Sequence, residues 1–312
     1  MVDVVVVGAG VNGLCVASEL RQRGLDVEVW ARDDSMATVS AVAGAIWFPF
    51  LAEPRERVLG WSAVTFQRLA TLARRRDCGI AMAPVTATFA EAAPDLWWAP
   101  AAGPIERLPA AAVRAPCRSA IRTVVPIVDV PVHLAWLRAH VESQGVRFVP
   151  RVLASFAPAF AVARTVVNCA GLGAAALCAD ASLVPVRGQV VLVERSGDVP
   201  AWIDDSGLPP FYAIPRSTDV VLGGTAQRGD ADLQPRIADT EAILAGIGER
   251  VPQLREVVVR GVKVGLRPYR PTVRVELEPR PEGRLVHDYG HGGSGWTLAW
   301  GCAAEVADFV VG

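Results

Sequence analysis

The first thirty residues alternate between apolar runs and glycine-rich turns in a pattern that predicts a strand–turn–helix–strand unit. Residues 3–7 are almost all valine, which is typical of a strand buried on both faces of a parallel sheet. A helical stretch over residues 14–23 is followed by Gly24, the residue type that most often ends a helix. Residues 25–29 then alternate apolar and polar positions, and they predict a second strand.

The turn between the first strand and the helix carries the pattern G-x-G-x-x-G. Gly8 permits the tight turn, Gly10 lets the backbone approach a pyrophosphate, and Gly13 lets the helix pack closely on the strand. The helix N-terminus offers unpaired N–H groups to phosphates. After the second strand, Asp33 is placed to bind a ribose, whereas Arg32 suits a 2′-phosphate. The motif therefore predicts a nucleotide cofactor without distinguishing FAD, NAD and NADP, and an ordinary glycine-rich turn is the simpler alternative.

A second buried strand with a glycine-rich end predicts that the nucleotide-binding domain is discontinuous. Residues 165–168 form this strand, and residues 169–173 form its turn. NAD dehydrogenases usually complete their nucleotide domain without such a return, so the pattern favours FAD. A third glycine-rich stretch, residues 289–295, precedes an apolar helix over 296–310. Its N–H groups suit the negative charge of a reduced flavin, and His291 within it is either a catalytic base or a space-filling residue.

Two more helices are predicted in the middle of the chain. Residues 58–76 form an amphipathic helix with Val64 on its apolar face, and residues 84–116, rich in proline and alanine, predict loops and short strands of a second domain. Residues 129–143 form a helix with Asp129 as its N-cap, followed by a strand over 146–153. The histidines of that helix have no neighbouring metal-ligand cluster, so we interpret them as structural; they are His133 and His140.

A proline-rich segment near residue 270 is a candidate carboxylate site. Residues 265–271 place two arginines, Arg267 and Arg270, next to prolines that fix the backbone, which predicts a rigid turn. A fixed guanidinium suits bidentate binding of a carboxylate, although a surface arginine in a proline loop is an equal alternative. A second polar cluster, residues 211–216, precedes a strand predicted over 220–222.

Composition excludes several classes of protein. The 312 residues contain 31 Lys and Arg against 32 Asp and Glu, so there is no excess of positive charge to attract nucleic acid or an anionic membrane. With 52% hydrophobic and 20% charged residues, the chain is expected to fold, with about two domains for its length. Lys263 is its sole lysine, so an enzyme that forms a lysine Schiff base would have a single candidate.

The six cysteines and the termini point to a reduced compartment. No CxxC pair occurs, which argues for free thiols and against a disulfide framework or a zinc site; we expect no metal. No secretory signal and no apolar run long enough to span a bilayer is present. We therefore expect a cytoplasmic protein.

Eight motifs, in their order along the chain, resemble D-amino-acid oxidase from residue 4 to about residue 310. They are GAGVNG, VAGAIWFP, VNCAGLGA, RGQVVLV, FYAIPR, LGGTAQ, GLRPYRP and YGHGGSGWTLAWGCA. The resemblance implies an α/β protein with a discontinuous, Rossmann-like FAD-binding domain (residues 1–50, 130–180 and 265–312). It also implies a second, mainly antiparallel β-sheet substrate domain (residues 51–129 and 181–264). The activity it implies is the FAD-dependent oxidation of D-amino acids by O₂ to 2-oxo acid, ammonia and hydrogen peroxide, in an enzyme that is often a homodimer.

The resemblance also assigns site residues. It places the substrate carboxylate on Arg267 and on the Tyr212 hydroxyl, and the substrate amine on the backbone carbonyl of Gly293. The implied FAD-binding residues are Gly8, Ala9, Gly10, Val11, Asn12, Gly13, Arg32, Asp33, Ser40, Ala43, Gly44, Ala45, Ile46, Val152, Ala170, Gly171, Arg267, Gly292, Gly293, Ser294, Gly295, Trp296 and Thr297.

One segment departs from the animal relatives. These carry a tyrosine on an active-site lid shortly before the YxIP motif, whereas residues 204–211 here contain no tyrosine and are shorter. We therefore expect a more open site. Phe211, Trp296 and Ile46 are the expected apolar pocket residues, which would favour neutral, bulky substrates.

Several alternatives stay open on sequence alone. A D-aspartate oxidase would need a further cation for the second carboxylate, and Arg216 is the candidate. A glycine or sarcosine oxidase would share the fold. An NADP-dependent dehydrogenase would use the first glycine motif and Arg32 but leaves the GHGGSG turn unexplained. A non-catalytic flavin-binding protein leaves Arg267 and Tyr212 without a purpose.

Overall fold

A computed structural model describes residues 2–113, 116–207 and 210–312. Residues 114–115 of the predicted proline-rich segment and residues 208–209 of the predicted shortened lid segment lie outside the described residues. The helices are α1 (Val11–Gln22), α2 (Arg55–Leu72), α3 (Val130–Ser143), α4 (Ala157–Phe160), α5 (Ala174–Leu177), α6 (Ile237–Arg250) and α7 (Gly295–Val311). The strands are β1 (Val4–Val7), β2 (Val27–Ala31), β3 (Ile80–Phe89), β4 (Ile105–Arg107), β5 (Ser119–Val128), β6 (Arg147–Pro150), β7 (Thr165–Asn168), β8 (Val184–Glu194), β9 (Ala201–Asp204), β10 (Phe211–Pro215), β11 (Asp219–Gly223), β12 (Gln227–Arg228), β13 (Val259–Arg280) and β14 (Gly283–His291).

The described strands form one mixed sheet with two parts. The first part is parallel, in the order β14-β7-β1-β2-β6. The second part, in the order β4-β5-β3-β9-β10-β11-β8-β13, is antiparallel except for the parallel pair β3–β9. The long strand β13 joins the parts, because it pairs with β8 along its first half and with β14 along its second. This architecture confirms the predicted α/β fold class; the domain boundaries stay a prediction.

The parallel part is buried on both faces. Val4 and Val6 of β1 pack on the side covered by α1, α3 and α7, whereas Val5 and Val7 pack on the side covered by α4. The valine run at the N-terminus therefore lies between two helical layers, as its sequence predicted. The described helices include none that is both long and apolar enough to cross a membrane.

One detail of the predictions about the middle of the chain was wrong. The helix predicted over 58–76 is α2, and Val64 lies on its exposed side, because α2 packs on α7 through other residues. Gly301 of α7 allows this contact, since a side chain there would overlap the backbone of Trp61. The proline-rich segment from residue 84 holds the end of strand β3, from residue 84 to residue 89, and the three-residue strand β4, in line with the predicted short strands. Residues 211–216 precede strand β11, as predicted, and residues 211–215 also form a strand of their own, β10.

The segment predicted as a rigid proline turn, residues 265–271, is part of strand β13. Proline is tolerated there because Pro268 lies opposite Pro185 of β8, so neither residue has to donate a ladder hydrogen bond. Pro271 lies within an irregular stretch between Tyr269 and Arg274, where the register of β13 on β14 shifts. Arg267 is therefore held by strand pairing rather than by a turn.

The helix that begins at Asp129 agrees with the prediction except for its cap. Asp129 is the N-cap residue of α3, but its carboxylate accepts hydrogen bonds from the backbone and hydroxyl of Ser217 instead of capping the helix. The predicted structural role of His133 fits its environment, because the side chain is fully buried and contacts the carbonyl oxygen of Cys78 at 2.7 Å. Burial lowers the pKa of His133 to about 4, so this histidine is neutral.

Candidate active site

A cavity of about 650 Å³ lies where the parallel and antiparallel parts of the sheet meet. Its size is that of a small-molecule or cofactor site. The structure brings together around it every residue that the resemblance assigns to the site except Gly13 and Ser294. The predicted residues that line it are Gly8, Ala9, Gly10, Val11, Asn12, Arg32, Asp33, Ser40, Ala43, Gly44, Ala45, Ile46, Val152, Ala170, Gly171, Tyr212, Arg267, Gly292, Gly293, Gly295, Trp296 and Thr297.

The two exceptions support the cavity from behind. A side chain at Gly13 would overlap the carbonyl oxygen of Gly8, so Gly13 allows α1 to pack close to the end of β1. Ser294 is buried, and its hydroxyl donates to the carbonyl oxygen of Phe50 and accepts from the N–H of the same residue, at 2.7 and 2.6 Å. This pair of hydrogen bonds fixes the start of α7 against residue 50, which does line the cavity.

The glycine loop at the start of α1 exposes its backbone to the cavity, because no side chain covers it at Gly8 or Gly10. Gly8 has a φ of +116°, and a side chain there would overlap the carbonyl oxygen of Cys169. A Cβ at Gly10 would lie 3.1 Å from the hydroxyl oxygen of Ser40, which accepts a hydrogen bond from the N–H of Val11. No acidic side chain lies in the first turn of α1. The helix N-terminus therefore keeps its positive potential towards the cavity.

Arg32 and Asp33 lie at the rim and bind each other. The Nε atom of Arg32 donates to Oδ2 of Asp33 at 2.8 Å, and the arginine side chain is 73% exposed. The predicted ribose-binding carboxylate is thus available at the cavity, but it already has a cationic partner. Val152, also at the rim, is 74% exposed.

Arg267 and Tyr212, 55 positions apart in the chain, come together on neighbouring parts of the antiparallel sheet. An Nη1 atom of Arg267 donates to the carbonyl oxygen of Thr225 at 2.8 Å. The Tyr212 ring fits against Gly223, where any side chain would overlap the phenol. Burial raises the pKa of the Tyr212 hydroxyl, and the nearby Arg267 guanidinium opposes that rise. Tyr212 is therefore a neutral hydrogen-bond donor beside a fixed cation.

The sequence did not identify Gly188 as the residue on which the Arg267 guanidinium lies. A Cβ at Gly188 would overlap the Arg267 guanidinium, so this glycine of β8 allows the arginine to lie flat on the strand. The RGQ segment was part of the resemblance, but the spacing alone gave no signal that its glycine touches a residue 79 positions later.

The start of α7 forms the opposite wall. Gly293 lies against Phe50, since a Cβ on Gly293 would come within 2.5 Å of the phenyl ring. The indole N–H of Trp296 donates to the carbonyl oxygen of Ser40 at 3.1 Å, and the hydroxyl of Thr297 donates to that of Phe48 at 3.1 Å. These bonds tie α7 to the segment that follows β2.

The part of the cavity beside Arg267 and Tyr212 is mainly apolar. The described lining residues with ionisable side chains of the acidic, basic or histidine type are Arg32, Asp33, Arg151, Arg267, Asp288 and His291. Of these, Arg267 alone comes from β13 or from the strands beyond it. Apolar side chains that line the cavity include Ile46, Phe48, Phe50, Ile203 and Ile214.

Two predicted pocket residues point elsewhere. Arg216 is absent from the described lining; it is 5% exposed and donates from Nε and Nη2 to the Asp219 carboxylate, both at 2.7 Å. It therefore cannot serve as a cation for a second substrate carboxylate. Phe211 is also absent from the described lining and packs on α6, against Gly246 and the Arg250 guanidinium. Ile46 and Trp296 do line the cavity.

His291 is buried and held on both sides of its ring, and its predicted role as a base or a space-filling residue stays a prediction. Its side chain is 2% exposed, and its two ring nitrogens contact Asn12 and Asp288. Asp288 was not predicted as a site residue, although it also lines the cavity.

Comparison with known proteins decides which cofactor this cavity holds. A sequence profile of the family described as FAD dependent oxidoreductase matches residues 3–309. The chain belongs to this family. It is 42% identical to a D-amino-acid oxidase of Rubrobacter xylanophilus over 308 residues, which are 97% of this chain and 94% of that protein. It is 37% identical to a D-amino-acid oxidase of Streptomyces coelicolor, over 98% of this chain and 95% of that one.

The fold comparison agrees with the family. A crystal structure of glycine oxidase from Geobacillus kaustophilus matches with a TM-score of 0.84 at 19% identity, over 99% of this chain and 94% of that chain. At this identity the match speaks for the fold alone. The resemblance to D-amino-acid oxidase inferred from the eight motifs is confirmed by the sequence relatives, whereas the NADP-dependent dehydrogenase alternative is wrong.

This family member is an FAD-dependent oxidoreductase, and the cavity fits FAD. Gly8 and Gly10 line the cavity at the N-terminus of α1 without side chains of their own, so a pyrophosphate could approach the backbone N–H groups there. A second helix N-terminus, that of α7, opens on the same cavity without a side-chain cap. These two termini are where a dinucleotide needs positive potential, at its phosphates and at a flavin ring that becomes anionic on reduction.

Proposed function

We propose that this enzyme oxidises D-amino acids with neutral, mainly apolar side chains, using FAD and O₂. The products are the 2-oxo acid and ammonia, from hydrolysis of the imino acid, together with hydrogen peroxide. The observation that carries the proposal is that Arg267 and Tyr212 line the same mainly apolar cavity, close enough for the guanidinium to lower the pKa of the phenol, together with both helix N-termini. The activity itself is that of the two bacterial relatives named above.

Arg267 and Tyr212 would bind the substrate carboxylate. The guanidinium is held by the carbonyl oxygen of Thr225 through one Nη atom, which leaves further N–H groups for a carboxylate. Each hydrogen bond to a charged group is worth about 1.5–3 kcal/mol. The neutral Tyr212 hydroxyl supplies one more donor.

The carbonyl oxygen of Gly293 would accept a hydrogen bond from the substrate amine. Phe50 fixes this turn by packing against Gly293. With the carboxylate, the amine and the side chain each assigned to a different wall, the Cα–H bond has a single direction left, so only one enantiomer presents it to the cofactor. Bound FAD would supply the acceptor for the hydride and the route by which the electrons reach O₂. No side-chain base is required if the amine is neutral when it reacts.

The apolar wall would set the substrate class. Ile46 and Phe48 line the cavity, and the withdrawal of Arg216 into its bond with Asp219 removes the cation that a D-aspartate oxidase would need. Burying an unpaired side-chain carboxylate in such a pocket is strongly unfavourable. We propose that D-aspartate is a poor substrate. A homodimer, a cytoplasmic location and the predicted domain boundaries stay part of this proposal.

Peroxide release from a panel of amino acids tests the function. The FAD-loaded enzyme would be mixed with D-alanine, D-valine, D-aspartate, glycine, sarcosine and the L-enantiomers, and hydrogen peroxide would be measured with a coupled peroxidase. Faster turnover of D-alanine or D-valine than of the other compounds is the expected result. Preference for an L-amino acid, D-aspartate or sarcosine would contradict it.

A further inference from the structure

One loop reaches the cavity from the antiparallel part of the sheet with a single residue. Residues 229–236 connect β12 to α6, and of these residues Leu233 alone is among the described lining of the cavity. Leu233 is nevertheless 57% exposed. A residue that lines a cavity and is also open to solvent lies at its mouth, so Leu233 forms part of the rim.

The pairing of the strands puts this part of the rim beside Arg267. Arg228, the last residue of β12, pairs with Val186 of β8, and Val186 pairs on its other side with Arg267 of β13. The loop therefore begins two strand spacings from Arg267, or roughly 10 Å. The Arg267 guanidinium also reaches over β8 to the carbonyl oxygen of Thr225, two residues before β12. Leu233 thus belongs to the end of the cavity that we assign to the substrate, not to the helix N-termini that we assign to FAD.

A buried arginine holds the backbone on both sides of Leu233. Arg187 of β8 is fully buried. Its Nε atom donates to the carbonyl oxygen of Asp232 at 2.9 Å, and its Nη2 atom donates to that of Gln234 at 2.7 Å. Because the guanidinium is planar and rigid, these two hydrogen bonds fix the positions of both neighbours of Leu233 relative to β8.

Every N–H group of this guanidinium is used. Arginine has five such donors, and the other three of Arg187 point to the side chains of Gln227, Asp239 and Gln189, at 2.8, 2.7 and 2.9 Å. The same Gln189 oxygen accepts from the backbone N–H of Arg236 at 2.9 Å. The loop is therefore fixed along its length by side chains of β8.

The next residue of β8 after Arg187 is Gly188, on which the Arg267 guanidinium lies. Successive residues of a strand face opposite sides, so β8 holds the loop with one residue and the carboxylate-binding group with the next. The separation of Leu233 from the Arg267 guanidinium is thus set by the backbone of a single strand. A substrate bound through its carboxylate meets the rim at a fixed distance.

We propose that Leu233 is a specificity-determining residue of the D-amino acid site and that Arg187 is the positioning residue that fixes it. With its carboxylate on Arg267, a substrate with a long apolar side chain covers part of the exposed Leu233 side chain, whereas D-alanine is too short to reach it. The selectivity comes from the apolar surface that both side chains remove from water. The proposal rests on the assignment of Arg267 to the substrate carboxylate under Proposed function.

The first experiment compares D-leucine with D-alanine as substrates of Leu233→Ala. Both kcat and KM would be measured with the peroxide assay on FAD-loaded enzyme. Each methyl or methylene group removed from such a contact costs a factor of about four. We therefore expect kcat/KM for D-leucine to fall roughly tenfold, through KM, and that for D-alanine to change less than about twofold. Leu233→Met keeps the volume of the side chain and should keep the selectivity.

Ile237→Ala is the matched control. Ile237 is 79% exposed at the start of α6, four residues after Leu233, and it is absent from the described lining of the cavity. It should leave the kcat/KM of both substrates unchanged. Equal losses for the two substrates in Leu233→Ala, or the same loss of selectivity in Ile237→Ala, would overturn the proposal. If the unsubstituted enzyme oxidises neither D-amino acid, the proposed function itself fails, which distinguishes the two failures.

The second experiment tests Arg187 as a positioning residue. Arg187→Lys keeps the positive charge but not the planar group that binds two carbonyl oxygens at once. We expect it to lower the ratio of kcat/KM for D-leucine to that for D-alanine as Leu233→Ala does. The double variant should lower the ratio no further, because both changes act on one contact. A loss of stability alone leaves the ratio unchanged, and an unchanged ratio or additive losses would overturn this role of Arg187.

Binding without turnover gives a third measurement, which needs no change at Arg187. Propanoate and 4-methylpentanoate are alanine and leucine without their amine, so they offer the same carboxylate and side chain but cannot form an imine. Their dissociation constants would be measured from the flavin absorption of FAD-loaded enzyme. We expect Leu233→Ala to weaken binding of 4-methylpentanoate roughly tenfold and that of propanoate less than about twofold. Equal effects on both compounds would overturn the proposal even if Arg187→Lys failed to fold.

Discussion

Gly188 of β8 lies directly beneath the guanidinium of Arg267 of β13. A Cβ on Gly188 would overlap the central carbon and both terminal nitrogens of that group. Glycine in a strand interior often marks such a close approach. The absence of a side chain at Gly188 lets the Arg267 guanidinium lie on β8. The carbonyl oxygen of Thr225, 2.8 Å from Nη1, then fixes one end of the guanidinium.

Gly188→Ala should displace the guanidinium without disturbing the cofactor loop. The added methyl group forces Arg267 off the strand, so the KM for D-alanine should rise roughly tenfold or more, the cost of about one hydrogen bond to a charged group. FAD should remain bound, because the glycine loop of α1 is untouched. Gly261→Ala on β13, where a Cβ meets no atom within 4 Å, is the matched control and should leave both KM and FAD binding unchanged. Unaltered kinetics in Gly188→Ala would show that the position of the Arg267 guanidinium does not depend on its contact with Gly188.

Arg267→Ala tests the carboxylate site directly. Loss of two charge-assisted hydrogen bonds should cost about 3 kcal/mol or more, roughly a hundredfold in kcat/KM. Arg267→Lys should recover part of this loss, because lysine restores the charge but not the bidentate geometry. Steady-state peroxide assays on FAD-loaded protein separate the two effects. Normal kinetics in Arg267→Ala would remove this residue from the site.

Tyr212→Phe should have a smaller effect than either arginine change. The hydroxyl is a neutral donor, because burial raises its pKa, and its loss should cost about 1 kcal/mol, roughly fivefold in kcat/KM. The ring keeps its packing against Gly223 and Gly44, so the fold should be unaffected. Complete inactivation, measured by the same peroxide assay, would mean that Tyr212 takes part in the chemistry.

Local patterns predicted the parts of the site that one segment builds by itself. The glycine loop of α1 and the turn before α7 each consist of neighbouring residues, so their shape follows from the order of glycines. Arg267 was predicted correctly as a cavity residue but for the wrong reason, since the pairing of β13 with β8 overrides the turn preference of its prolines. No single segment carries the information that two distant strands pair.

The misplacement of Phe211 was avoidable. Successive side chains of a strand point to opposite faces. Tyr212 and Ile214 face the cavity, so Phe211 and Ala213 have to face α6, as they do. The withdrawal of Arg216 into its bond with Asp219 across a tight hairpin could also have been inferred from their spacing once β10 and β11 were recognised as paired strands. The contact of Gly188 with Arg267 could not have been inferred in this way, because it depends on how β8 and β13 pair.

Arg187→Met should destabilise the fold. Arg187 is fully buried, and its guanidinium donates to the Asp239 carboxylate at 2.7 Å, to two glutamine side chains and to the carbonyl oxygens of Asp232 and Gln234. Removing one partner of a buried ion pair costs about 3–5 kcal/mol, which should appear as a lower midpoint in urea unfolding. Arg122→Ala is the control, because Arg122 is half exposed and its pair with Glu106 should contribute less than about 1 kcal/mol. Equal midpoints for the two variants would contradict the role of the Arg187 network.

Asp205→Asn should stabilise the protein at neutral pH and not in acid. Burial, with the negative charges of Glu91 and Asp204, raises the pKa of Asp205 to about 6, whereas in the unfolded chain an aspartate titrates near its usual value of about 3.9. Between these values the folded state binds more protons than the unfolded state, so this group makes stability fall as the pH rises. Above pH 6 the folded protein holds an ionised Asp205 at a cost of about 1 kcal/mol, allowing for partial solvent screening.

Asp205→Asn removes that cost, so its unfolding free energy should exceed that of the unsubstituted protein at pH 7 and equal it below about pH 4. Asp198→Asn, an exposed position in the preceding loop, is the matched control. A difference between Asp205→Asn and the unsubstituted protein that does not change with pH would rule out titration of Asp205 as its cause.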